Sequence, residues 1–257
     1  MKVVILCGGK GTRLREETEF KPKPLVTIGR MPILWHIMKI YSHYGHKEFI
    51  ILLGYKGEMI KRYFIEHHWR GKDFCLDLGS NQIHKHNRGD EEDWKIHFVD
   101  TGLGSATALR LFKAKHLLQE DEDFLLTYGD GVGDININEL INHHKQKGAI
   151  ATLSGLRPRS KYGVMDCSNG YVLKFREKPV INDVINGGFM VFNKKIFNHL
   201  DGRDVMLVED TLPKLASFNE LILKVHDGFW HCMDTYKDYK NLNKIWSEEP
   251  NSWKIWK

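Results

Sequence analysis

A few residues, gathered near the start of the chain and again near its middle, have the types and spacing to handle phosphate. Gly8, Gly9 and Gly11 fall within four positions, Arg13 follows, and Lys23 comes shortly after. Glycines let a backbone approach a ligand closely, and such loops turn successive amide N–H groups toward an anion. Arg13 and Lys23 would add full positive charge to that cradle. A glycine-rich turn after a strand is also often only a turn. "GGKGTRL" lacks the Walker spacing, and Leu14 stands where the dinucleotide fingerprint needs its third glycine. The loop therefore reads as a polyphosphate site of another kind.

The second group is Asp130 in "YGDG". A carboxylate beside phosphates would repel them unless a divalent cation lay between. Mg²⁺ suits that place, because it takes one or two carboxylates and completes its octahedron with phosphate oxygens and water. Asp130 can equally make a turn with Gly131, as Asp-Gly pairs do.

These residues need elements to hold them. Val3 to Cys7 is a short, uninterrupted apolar run rich in β-branched residues, which suits a strand covered on both faces. "PILWHIMKIYSHYG" reads as a helix with Pro32 in its first turn and Gly45 at its end. "EFIILLG" reads as a second buried strand, "KGEMIKRYFIEHHWR" as a second amphipathic helix, and "DFCLDL" as a third strand. That alternation argues an α/β fold with a largely parallel sheet. "GSNQIHKHNRGDEEDW" reads as an exposed loop. "KIHFVD" and "DFLLTYGD" return as strands around the helix "ATALRLFKAKHLL", and "INELINHHKQKG" is another helix. After "AIATLSGL" come short strands, "YGVMD", "YVLKF" and "INGGFMVF", then helical patterns near 209–218 and 236–247. One continuous domain is expected over 1–257. Residues 1–150 would mainly bind nucleotide, and 151–257 would form an appended, more irregular α/β layer. In open α/β sheets ligands sit beyond the carboxyl ends of the strands, which puts both the glycine loop and Asp130 in one cleft.

The 257 residues can bury a sizeable core, and 42% hydrophobic with 28% charged residues is an ordinary globular balance. No apolar run approaches the ~20 residues that span a membrane, and the N-terminus does not read as a signal peptide. The four dispersed cysteines read as reduced thiols of a cytoplasmic protein. The charge of +5 is spread over dispersed Lys and Arg, so it favours a small phosphorylated substrate over nucleic acid. His67-His68, His84-x-His86 and His143-His144 lack metal-site company and read as structural or solvated.

"GGKGTRL" followed by "KPKPL" resembles the signature of the sugar-phosphate nucleotidyltransferases, and "GYKG", "VDTG", "TYGDGV", "EKP", "INGGF" and "GFWHCMDT" follow in family order. The ordered set resembles the glucose-1-phosphate cytidylyltransferase group across essentially the whole chain. The resemblance implies a Rossmann-like, mostly parallel sheet flanked by helices, a bound Mg²⁺, and CDP-glucose made from CTP and glucose 1-phosphate. It implies that Leu6, Cys7, Gly8, Gly9, Gly11 and Thr12 wrap the nucleotide with Ser105, Thr107, Arg110 and Gly129. Arg13 and Lys23 would neutralise the phosphates, and Lys21 would lie at the surface. Asp130 and Asp234 match the two magnesium carboxylates. Tyr128, Gly163, Glu177, Lys178, Asn186, Gly187 and Gly188 match the sugar-phosphate pocket. The expected partners are these two substrates and further copies of the chain in a homo-oligomer, without nucleic acid or membrane.

Base choice is read from two features. Loop carbonyls would accept from the cytosine amine, and Arg110 either donates to the cytosine carbonyl or makes a surface salt bridge. Ala108-Leu109 stands where the family has paired glycines. Uridylyl, thymidylyl or guanylyl transfer is the competing activity. A non-catalytic sugar-nucleotide sensor would be favoured by loss of Arg13, Lys23 or either aspartate, and all four are present.

Overall fold

The computed structural model describes residues 1–67, 73–85, 92–160, 162–181 and 183–256. Seven strands form the central sheet: β1 (Val3–Cys7), β2 (Glu48–Leu53), β3 (Lys95–Asp100), β4 (Asp123–Tyr128), β5 (Ala151–Leu156), β6 (Ile185–Asn193) and β7 (Leu221–His226). Their order across the sheet is β7-β5-β6-β4-β1-β2-β3. β1 lies between β2 and β4 in parallel register, Val3 opposite Phe49 on one side and Leu125 on the other. All five of its residues are buried, which is why its apolar run has no polar alternation. β6 alone runs against its neighbours, pairing antiparallel with both β4 and β5.

Helices cover both faces. On one face Val3 and Ile5 belong to a core with α1 (Ile33–His43), α2 (Gly57–His67), α4 (Ile137–Lys147) and the C-terminal Trp253. On the other, Val4 and Leu6 pack with α3 (Thr107–Lys113) and α5 (Leu212–Ser217). The last helix, α6 (Tyr236–Glu248), starts with a capping box in which Thr235 and Asp238 satisfy each other's backbone N–H groups. Its residue Asn243 accepts from the Gly29 amide at 2.9 Å, docking the chain's end beside α1. Among the described residues no helix is long and apolar enough to cross a membrane.

Three elements differ from the sequence reading. Phe74–Asp77 is a strand but not the third strand of the sheet; it pairs antiparallel with Gln82–Lys85 in an exposed hairpin. The expected loop 79–94 supplies the hairpin's second arm, and its turn forms because the Asp77 carboxylate accepts from the Gly79 and Ser80 amides. Residues 86–91 of that loop, the end of the second expected helix at 68–70, and His68 and His86 lie outside the described residues. The C-terminal half is also less of an appended layer than expected. It supplies β5, β6 and β7 to the same sheet, while the ribbon Val164–Ser168/Tyr171–Arg176 and the short strand Trp230–Cys232 stand outside it. His144 is buried, with Nδ1 2.7 Å from the Thr152 hydroxyl, a structural role as expected.

Candidate active site

Strand order reverses between β1 and β4: from β1 the chain winds outward through β2 to β3, then returns to place β4 on the other side. The loops after β1 and β4 consequently diverge and leave a crevice, the usual ligand position in a doubly wound sheet. A cleft of about 380 Å³ fills it. Leu6, Cys7, Gly8, Gly9, Gly11, Thr12, Arg13, Lys23, Ser105, Thr107, Arg110 and Gly129 all line it, so the structure brings together every residue expected on the nucleotide side. Pro24, Ala106 and Met206 line it too. These apolar positions carry no chemical signature that a sequence reading could use.

A second cavity of about 240 Å³ adjoins the first, with Arg13, Tyr128 and Asp130 lining both. Asn186, Gly187, Gly188 and Asp234 line it, as do Trp230 and Cys232. Asn186 shapes this wall by accepting from the Gly188 amide at 2.8 Å, and the Trp230 indole donates to the Gly187 carbonyl at 2.8 Å. Gly163, Glu177 and Lys178 line neither cavity. They flank the exposed ribbon, where Glu177 and Lys178 pair at 3.5 Å with both side chains 62% exposed.

Asp130 and Asp234, 104 positions apart, meet for a structural reason. Gly131–Gly133 and Trp230–Cys232 form a two-stranded antiparallel pair, extended by a 2.8 Å bond from the Met233 amide to the Asp130 carbonyl. Both carboxylates thereby emerge at the same end of that pair. Ligand atoms of Asp130, Cys232 and Asp234 lie within 4.8 Å of one another, the one such group found among the described residues. Lys23 reaches them from between Pro22 and Pro24, its ammonium 2.7 Å from Asp130 and 2.8 Å from Asp234. Arg13 adds a 2.9 Å contact to Asp234. Burial alone would lower the Lys23 pKa, but the two carboxylates outweigh it and hold the ammonium above its ordinary value. Burial pushes the Cys232 thiol well up, with Asp130 adding to the effect, so this sulfur stays protonated. The donors on offer are hard carboxylate oxygens, which suit Mg²⁺ better than a thiophilic ion. Lys21 lies aside from this cluster, paired with Glu17 at 3.1 Å.

Comparison with known proteins gives the family. The family model described as nucleotidyl transferase matches residues 2–249. The chain belongs to the nucleotidyl transferase family. A Bacillus subtilis protein named a probable glucose-1-phosphate cytidylyltransferase is 46% identical over 258 residues, covering all of both chains. The glucose-1-phosphate cytidylyltransferase of Salmonella typhi is 43% identical over 257 residues, again covering both chains fully. Among solved structures, HddC from Yersinia pseudotuberculosis complexed with GMP-PN aligns with a TM-score of 0.70 at 22% identity, over 95% of this chain and 99% of that one. This nucleotidyl transferase is an enzyme of nucleotide and sugar-phosphate chemistry on a mixed, mostly parallel α/β sheet.

Arg110 departs from the surface reading. It is 3% exposed and among the described residues makes no salt bridge. The expectation that loop carbonyls read the base also meets prior commitments. Leu6 O accepts from the Gly129 amide at 3.1 Å, and Gly8 O from the Tyr55 amide at 3.1 Å and from Arg110 at 3.2 Å.

Proposed function

We propose that this chain transfers the cytidylyl group of CTP to glucose 1-phosphate, giving CDP-glucose and pyrophosphate. The observation that carries the reading is the cluster of Arg13, Lys23, Asp130 and Asp234 at the junction of the two cavities. One cavity would take the nucleotide and the other the sugar phosphate, so their reacting phosphates would meet at that junction. The full-length likeness to the Bacillus and Salmonella proteins supports cytosine and glucose as the base and sugar.

The nucleophile needs no activation. A sugar 1-phosphate is already anionic at neutral pH, so no general base has a proton to remove. A phosphate oxygen of glucose 1-phosphate attacks the α-phosphorus of CTP, a new P–O bond forms, and the bond to the β-phosphate breaks with its electron pair leaving on pyrophosphate. Catalysis is then alignment of two anions together with neutralisation of charge. Arg13 and Lys23 supply fixed cations at the place where that charge gathers, and the glycine-loop backbone brings amides close. Asp130 and Asp234 would hold Mg²⁺, which when bound offsets phosphate charge. Asn186, Gly187 and Gly188, with Tyr128, would bound the sugar phosphate.

The test is a matrix of CTP, UTP, dTTP and GTP against several sugar 1-phosphates, read as pyrophosphate release with and without Mg²⁺. The expected result is turnover with CTP and glucose 1-phosphate, abolished by chelation. Equal use of UTP or dTTP would overturn the cytidylyl assignment and leave nucleotidyl transfer standing.

A further inference from the structure

We propose that Arg110 is a positioning residue: by bonding the backbone of three strand-end loops at once, it holds the glycine loop in the shape that receives the nucleotide. One terminal nitrogen of its guanidinium, Nη1, donates to Leu53 O at the end of β2 and to Gly102 O after β3, each at 2.9 Å, and also to the Thr101 hydroxyl. The other, Nη2, donates to Gly8 O after β1 at 3.2 Å and to Leu103 O at 3.3 Å. One side chain from α3 thus ties together the carboxyl ends of three adjacent strands. A planar fork of donors suits that task, whereas an ammonium could reach only part of the set.

The surroundings are shaped around this group. A Cβ on Gly8 would lie 2.1 Å from the guanidinium carbon, and one on Gly54 would lie 2.6 Å from Nη1. Both glycines are therefore required by the arginine as much as by any ligand. A buried cation without a carboxylate at hydrogen-bond distance is costly unless many dipoles face it. Here four carbonyls and a hydroxyl do so, and Thr101, itself fully buried, also donates to Leu53 O at 2.5 Å. Both terminal nitrogens are spent on the protein, which favours an action on the nucleotide through the loop over direct reading of the base.

This assignment rests on the cleft's being the nucleotide site, so the first readout uses unliganded protein. In Arg110→Lys, amide hydrogen exchange over residues 8–12 should quicken about tenfold or more while exchange in the ribbon 164–176 stays unchanged. The dissociation constants of CTP and of inorganic tripolyphosphate should rise together, about 10- to 100-fold, the range for losing hydrogen bonds to a charged group. The dissociation constant of glucose 1-phosphate should stay within about twofold. Thr101→Val lies outside the cleft and should give the same pattern at smaller size, and it decides the matter if Arg110→Lys does not fold. Wild-type exchange over 8–12 in the folded variants would overturn the proposal. So would weakened CTP binding with tripolyphosphate binding unchanged, the signature of direct base reading. Failure of the cytidylyl assignment alone would leave the exchange result intact.

Discussion

The nucleotide cleft and the ribbon Val164–Ser168/Tyr171–Arg176 both carry residues that the sequence singles out, yet only the cleft gathers them. The difference lies in what each is anchored to. Residues of the cleft follow β1 and β4, whose registers are fixed on both sides by buried neighbours, parallel around β1 and, for β4, parallel to β1 and antiparallel to β6. A loop that leaves such a strand starts from a known place and direction. The ribbon's two strands pair only with each other, and its Tyr171, Leu173 and Phe175 are exposed. Glu177 and Lys178 inherit that lack of anchorage. A motif's position in sequence thus fixes its position in space only where the sheet holds it.

The largest expected effect tests the cleft side. Arg13→Ala should lower turnover by about 10²–10³-fold, the usual range for losing one donor aimed at developing charge, while the KM for glucose 1-phosphate changes little. Steady-state pyrophosphate release measures both, and near-normal turnover would remove Arg13 from the site.

Next in size is an acid test of what anchors Asp234. The α6 helix begins one residue after Thr235, and the chain's C-terminal tryptophans clasp His36 of α1. The His36 and Trp246 rings sit 4.6 Å apart, Trp253 Nε1 donates to His36 Nδ1 at 3.4 Å, and His36 Nε2–H donates to Ile28 O at 3.0 Å. Burial lowers the His36 pKa from 6.5 to about 4, against the opposing backbone bonds. The unfolded chain therefore binds a proton that the folded one refuses. This contribution to stability is complete above pH 6.5, declines as the pH falls toward 4, and amounts to the order of 2–3 kcal/mol. Denaturant melts between pH 7 and 4 should show the loss, and His36→Gln should remove a clear share of the slope, with His46, which burial also lowers to about 4, and His144 carrying the rest. Amide exchange near pH 4.5 should quicken in 230–248 before the ribbon responds. A pH-independent melt would show that the clasp does not carry this linkage.

The smallest effect bears on the sugar side. Asn186→Ala frees the Gly188 amide and should raise the KM for glucose 1-phosphate about tenfold, as loss of a single hydrogen bond in a closed site does. Glu177→Gln should change it by less than about twofold, in keeping with its exposure. Equal effects would bring the ribbon into the site and dissolve the contrast drawn above.

Much of this was legible beforehand because strong local signals agreed with the tertiary arrangement. Uninterrupted runs such as Val3–Cys7 and Glu48–Leu53 could only be covered strands, and all twelve nucleotide-side residues meet in the cleft. Phe74–Asp77 carries a strand's composition without a place in the sheet, since composition does not say which partner a strand finds. Arg110 could be read only as a base donor or a surface ion pair, because its five acceptors come from three separate loops, which no spacing along the chain can display. The pairing of Lys23 with both aspartates escaped the reading for the same reason.

The antiparallel β6 has a consequence for how the chain is made. β4 acquires its β1 partner as soon as it emerges from the ribosome, but its other edge stays unpaired until Ile185–Asn193 has been synthesised. At about 5–20 residues per second, that leaves an apolar parallel edge open for several seconds. Such an edge is a template for pairing with another nascent chain. Slower elongation between Tyr128 and Ile185 would lengthen the exposure, so the yield of assembled protein should depend on translation speed and chaperone supply over that stretch.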